Sequence, residues 1–186
     1  DAVIRGDNVD ALGGNALTTE ATAKVIALLN AAPNGVQSWS QDIEGLVQTS
    51  LNWGVVRMEE TLSMTAAVRS SVNREKWDLL DKLAELAKFY DAEFSTVGDY
   101  PAWEYKKDSG LRDTMIAVYK QMYAADPQVV AIHAGLECGL LSEKLPGLDC
   151  VSIGPEMHDI HTSRERLGIA STARMWEFIK AVLKAL

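Results

Sequence analysis

Cysteine is scarce in this chain: Cys138 and Cys150 are the 2 in 186 residues. Two cysteines do not make a disulfide framework, so a reducing cytoplasm is the default compartment. Positive charge is short too. Lys and Arg number 18 against 26 Asp and Glu, a formal net charge of -8, and no basic run or aromatic-interleaved stripe could follow a phosphate backbone, which argues against nucleic acid as a partner. No apolar run is long enough to cross a bilayer, and no charged, then apolar, then small-residue start resembles a signal peptide, so no membrane partner is expected. An initiating Met is missing as well, since the chain opens at Asp1, and we read it as a processed or truncated product. What is present is a hydrophobic fraction of 47%, enough for one domain with a sizeable core or for two small ones.

Residues from Thr18 to Asn30 read as a helix carrying Val25, Ile26, Leu28 and Leu29, stopped by a turn at Pro33-Asn34-Gly35. From Val47, the positions Thr49, Leu51, Trp53 and Val55 alternate with mostly polar or small neighbours. Leu62, Met64, Ala66 and Val68 repeat the pattern after Glu59-Glu60-Thr61, so two antiparallel strands joined by a short turn are expected. Asn73 is the candidate N-cap of a helix from Arg74 to Tyr90 with Trp77, Leu80, Leu83, Ala84 and Ala87 on its apolar face, and a strand near Glu93 to Val97 follows.

Gly98-Asp99-Tyr100-Pro101 is the candidate boundary, dividing the chain into residues 1–100 and 101–186. Beyond it the grammar becomes that of an α/β layer: a helix from Leu111 to Tyr123, a strand at Val129 to Ile132, a short helix after Gly135, a strand at Cys150 to Ile153 and a helix from Thr172 to Leu186. Two strands cannot cover these helices, so further strands must come from elsewhere and the chain reads as a piece.

Chemistry concentrates in Ile132-His133-Ala134-Gly135-Leu136-Glu137-Cys138-Gly139, in Val151-Ser152-Ile153-Gly154-Pro155, and in His161 beyond it. A strand entering a glycine turn, and a second entering a Gly-Pro loop that carries a His, is how an α/β enzyme presents binding groups beyond its strand ends.

Those motifs do not stand alone. With Leu28-Leu29-Asn30-Ala31-Ala32-Pro33-Asn34-Gly35-Val36, Thr49-Ser50-Leu51-Asn52, Gly54-Val55-Val56, Ala67-Val68-Arg69-Ser70 and Tyr100-Pro101-Ala102-Trp103, the chain from about Ala21 to its end resembles the aminoacyl-histidine dipeptidases of the M20 metallopeptidase family. The resemblance implies an α+β to α/β fold: part of a lid domain, an antiparallel sheet with helices, over 1–100, then the C-terminal α/β segment of a zinc-peptidase catalytic domain over 101–186. It implies a zinc-dependent hydrolase with a two-metal site, a dipeptide substrate and a homodimeric state. The first part of the family pattern is absent: there is no His-x-Asp, no Gly-Ala-Asp-Asn type loop and no Glu-Glu-Ala-Gly pair. The catalytic carboxylates are therefore expected upstream, with no catalytic residue in this chain, which is expected to be inactive alone. A noncatalytic fragment or association module is the alternative.

Residue by residue, His161 matches the family's C-terminal zinc ligand, six residues after Pro155. A lone loop His is more often solvated than metal-bound, and the resemblance is what points to ligation. The family continues His-Ser-Pro-Asp-Glu; this chain reads His161-Thr162-Ser163-Arg164-Glu165, retaining Glu165 and replacing an acid with Arg164. Arg69 matches a lid arginine that grips the substrate's terminal carboxylate, a task suited to a guanidinium fork; from sequence alone it is an exposed Arg closing a strand. Gly135 matches a position lining the pocket, where a missing side chain permits close approach. Glu137 either receives a substrate amine or caps the Gly139 turn. His158, Glu59-Glu60 and Cys138 read as loop surface, a solvated turn and a small buried residue respectively, and Trp77, Met115, Met122 and Trp176 read as core packing.

Overall fold

A computed structural model describes residues 17–59, 61–131 and 137–186. Thr18 caps α1 (Thr19–Ala31), its side chain accepting the Ala21 N–H at 3.1 Å. The Pro33-Asn34-Gly35 turn then feeds β1 (Gly35–Trp39), a strand not expected from the sequence, which put only the two strands from Val47 onward in this sheet. Gly35 sits at φ 78, a left-handed conformation that favours glycine. β1 pairs with β2 (Val47–Met58), and β2 with β3 (Leu62–Ser70), giving a three-stranded antiparallel meander of order β1-β2-β3. The turn expected at Glu59-Glu60-Thr61 is where β2 gives way to β3; Glu60 itself lies outside the described residues.

The predicted alternation in β2 holds through Thr49, Leu51 and Trp53 and then fails, because the pairing shifts between Trp53↔Ala66 and Val55↔Thr65. That one-residue bulge at Gly54 reverses the phase and leaves Val55 exposed. β3 keeps its alternation throughout, with Leu62, Met64, Ala66 and Val68 half-buried.

On this sheet lies α2 (Asn73–Phe89), whose Leu79 and Leu83 pack with Leu51 of β2 and against Trp53, Ala66 and Val68. Burying each such leucine contributes about 1.5–3 kcal/mol. The helix is rotated from the expected face: Lys76 is buried and Trp77 half exposed. The indole would have to displace the Lys76 stem to reach the core, and Lys76 is held there by Asp99 and the Tyr100 carbonyl. Asn73 does not cap the helix either. It is the first helical residue, and its Oδ1 accepts the Ala102 N–H at 2.9 Å.

The second core joins α3 (Gly110–Tyr123) to α5 (Ile169–Ala185) through Met115, Val118, Phe178 and Val182. Ser109 caps α3 by accepting the Arg112 N–H and donates to Asp149, whose carboxylate also takes the Leu111 N–H. Burial pushes the Asp149 carboxyl up, but those two donors, with Lys106 and Arg112 nearby, outweigh it and hold it below the ordinary carboxylate value. Trp176 and Met122 lie off this seam and are exposed, contrary to the core role expected of them. The short helix after Gly135 is α4 (Glu137–Lys144).

The strands expected at 93–97, 129–132 and 150–153 do not form among the described residues. A strand needs a neighbour to take its N–H and C=O groups, and the described residues of these segments are paired in no ladder. Among the described residues, the single ladder after residue 101 is instead a short antiparallel hairpin, β4 (Met157–His158) with β5 (Arg166–Leu167). The fold class thus stands as helices with antiparallel sheet. Among the described residues, no helix is long and apolar enough to cross a membrane.

Candidate functional site

His161 sits in the loop between β4 and β5, residues 159–165, exposed to solvent. The loop is tightly bonded. The Asp159 carbonyl accepts the Thr162 N–H at 3.2 Å and its hydroxyl at 2.7 Å, and the Thr162 carbonyl accepts the Glu165 N–H at 3.2 Å. Arg166 closes the base by reaching the Asp159 carboxylate at 3.2 Å. Asp159 and His161 both adopt positive φ, 52 and 65, a region costly to residues with a side chain. At the apex, the His161 N–H donates to Glu165 Oε2 at 3.0 Å. The hairpin is seated on α5: the Gly168 N–H reaches the Glu156 carbonyl at 2.9 Å, and Glu156 takes Arg174 at 3.2 Å.

His158, in β4, is exposed as expected, but in a two-residue strand rather than a free loop. Among the described residues, no three His, Cys, Asp or Glu side chains gather closely enough to hold a metal. The His161 ring is exposed and carries no hydrogen bond among the described residues, so the chemistry of this loop offers a single imidazole nitrogen where zinc takes three or four protein donors.

Arg69 lies one residue before the end of β3, exposed and in register with Ser50 of β2. Its neighbour Val68 packs towards α2, so strand alternation turns Arg69 to the opposite face of the sheet. Gly135, with His133, lies outside the described residues. Glu137 opens α4 and is exposed, where a carboxylate is favoured by the helix dipole. Gly139 is not a turn but a buried residue of α4, against the Pro101 carbonyl, so Glu137 caps no turn there. Cys138 is half buried, and burial followed by the nearby Cys150 thiol pushes its own thiol up.

A cavity of about 1070 Å³ opens between the two halves of the fold, lined among others by Trp103, Val130, Val151, Ile153 and Pro155. It follows the stretches 127–131 and 148–156, which are in no ladder, and includes neither Arg69, Glu137 nor His161. The sequence pointed to these residues one at a time, and no described contact joins them. What sequence reasoning missed is the role of Glu165 on the His161 backbone; a carboxylate four residues after the loop His was the available signal.

Comparison with known proteins gives these features a setting. No protein-family model matches the chain. It is 35% identical over 170 residues to the cytosol non-specific dipeptidase of Escherichia coli (strain K12), covering 91% of this chain and 35% of that protein. The crystal structure of aminoacylhistidine dipeptidase from Vibrio alginolyticus superposes with a TM-score of 0.84 at 33% identity, covering 94% of this chain and 36% of that one. Aminopeptidase PepT from Bacillus cereus shares the fold alone, at a TM-score of 0.71 and 16% identity over 89% of this chain and 45% of that one. The chain therefore spans about a third of the length of the dipeptidases it matches, consistent with a C-terminal portion, and the resemblance carried by its motifs is borne out.

Proposed function

We propose that this homologue of one part of the cytosol non-specific and aminoacyl-histidine dipeptidases is a portion of a zinc-dependent M20 peptidase that hydrolyses unblocked dipeptides, Xaa-His among them. The observation that carries this reading is 35% identity sustained over 170 residues of the bacterial dipeptidase. The coordinates add that Arg69 and His161, matched through the family resemblance, are both exposed and both held on hydrogen-bonded hairpins. In this account residues 1–100 complete a lid, residues 101–186 close a catalytic domain, and the whole enzyme works as a cytoplasmic homodimer.

Zinc, when bound, polarises the scissile carbonyl and acidifies the attacking water. The residues of this chain bind and orient. His161 contributes one imidazole to the metal centre. Arg69 presents two parallel N–H donors to the substrate's terminal carboxylate, the geometry a guanidinium supplies and an ammonium does not. Glu137 meets the substrate's amine, and Gly135 leaves room for the peptide backbone to approach. The group that takes the water's proton lies outside this chain.

The association-module alternative gains nothing from the comparisons, whose relatives are peptidases. The reading is tested by His161→Ala in the native protein that carries this segment. Loss of dipeptide turnover is expected, and turnover at the unmodified rate overturns the metal assignment.

A further inference from the structure

We infer that Glu165 is the positioning residue for His161, fixing the imidazole through the backbone of the histidine rather than through its ring. This rests on the reading of His161 as a zinc ligand and adds to it the device that aims the ligand.

A histidine that binds metal is ordinarily oriented by a partner on its second ring nitrogen. His161 has no such partner among the described residues. Its orientation is set one bond earlier. At φ 65 the residue occupies left-handed space, which an L side chain leaves readily unless something holds it. The hold is the Glu165 side chain, whose Oε2 accepts the His161 N–H at 3.0 Å, a normal hydrogen-bond length for an acceptor oxygen.

Charge is partitioned in this loop so that Glu165 stays available. Two arginines flank it, and either would compete for its carboxylate. Arg166 is engaged by Asp159 at 3.2 Å instead, and the described bond of Arg164 is from its backbone N–H to the Thr162 hydroxyl at 3.1 Å. The bonds that close the loop, Thr162 to Asp159 and Arg166 to Asp159, do not involve the Glu165 side chain. Removing that side chain therefore releases His161 while the hairpin remains closed, which separates positioning from folding.

The test is zinc affinity, measured by competition with a chromophoric chelator on the native protein carrying this chain. Glu165→Ala is expected to weaken zinc binding roughly 10- to 100-fold, whereas Glu165→Gln, which keeps an acceptor oxygen, stays within about threefold of the unmodified protein. Arg166→Ala, which opens the base of the loop, leaves affinity near the unmodified value. The double variant His161→Ala with Glu165→Ala binds no more weakly than His161→Ala alone, because both changes act through one ligand. Unchanged affinity in Glu165→Ala beside a weakened His161→Ala overturns the positioning role. So does a loss in Glu165→Gln equal to that in Glu165→Ala, which makes the carboxylate's charge or direct ligation the cause, or an equal loss in Arg166→Ala, which makes it loop integrity. Unchanged affinity in His161→Ala removes the ligand assignment itself, and the positioning role falls with it.

Discussion

The Lys76 ammonium donates to Asp99 Oδ1 at 2.6 Å and to the Tyr100 carbonyl at 2.7 Å, so a buried cation on α2 fastens the segment that follows this helix. The two partners are not equally exposed: the Lys76 side chain is 9% accessible and that of Asp99 44%. Asp99→Ala strands a buried charge with one carbonyl partner and is expected to cost about 2–3 kcal/mol of stability. Lys76→Met removes that charge, keeps the stem in place and leaves a carboxylate in water, costing about 1 kcal/mol. Urea unfolding of the two variants checks this, and equal losses contradict it.

Glu75 gives the fold a dependence on pH. Burial pushes its carboxyl up, but hydrogen bonds from Ser38, Thr49 and Gln48 together outweigh burial and hold it below its ordinary value of 4.5. Folding therefore favours the ionised form. The stabilisation is fully present above the ordinary value and is lost as pH falls through the lower, folded one. Replacing Glu75 with Gln should destabilise the fold at pH 7, and the gap from the unmodified protein should close under acid. Denaturant midpoints measured down a pH series would show it; a gap that widens in acid runs the wrong way.

Gly139 sets two effects against each other. Inside α4, alanine is favoured over glycine by about 1 kcal/mol. A Cβ here would, however, lie 2.6 Å from the Pro101 carbonyl oxygen, which is backbone and cannot swing aside. Overpacking of this kind costs about 1–3 kcal/mol, so Gly139→Ala should be net destabilising. A raised melting temperature would show that α4 does not rest on Pro101.

Much of the fold was legible because its elements are driven by local pattern. The helix carrying Leu83, the breaker at Pro33-Asn34-Gly35 and the alternation of β3 all reappear in the coordinates. What failed depended on distant partners. β1 carries Val36 and Trp39, both exposed and three apart, so it shows no strand alternation, and the bulge at Gly54 follows from how β2 meets β3. The segments at 129–132 and 150–153 have strand-like sequences, but their described residues have no strand to pair with among the described residues. Lys76 inside and Trp77 outside reverse the usual hydrophobic order, because Asp99 and Tyr100 capture the ammonium. For the site, the family resemblance named Arg69 and His161, which residue type alone read as an exposed Arg closing a strand and a solvated loop His. Spacing alone could not reveal that Glu165 grips the His161 backbone, since that bond depends on the left-handed turn.

Arg69 is expected to act on one end of the substrate. In the native protein, Arg69→Ala should raise KM for a free dipeptide by about 10- to 100-fold, the loss of one charge-assisted bidentate contact. The penalty should be much smaller for the same dipeptide with an amidated C-terminus. Comparing kcat/KM for the two substrates decides it; an equal loss on both counts against a carboxylate clamp.

The central claim, that this chain is part of a zinc dipeptidase, is met most directly by assaying the native protein that carries it on an Xaa-His dipeptide and on the same dipeptide N-acetylated and C-amidated. The account predicts hydrolysis of the free dipeptide only, lost on chelation and restored by zinc. No hydrolysis by the zinc-supplied protein, or equal rates on free and blocked substrates, would contradict it.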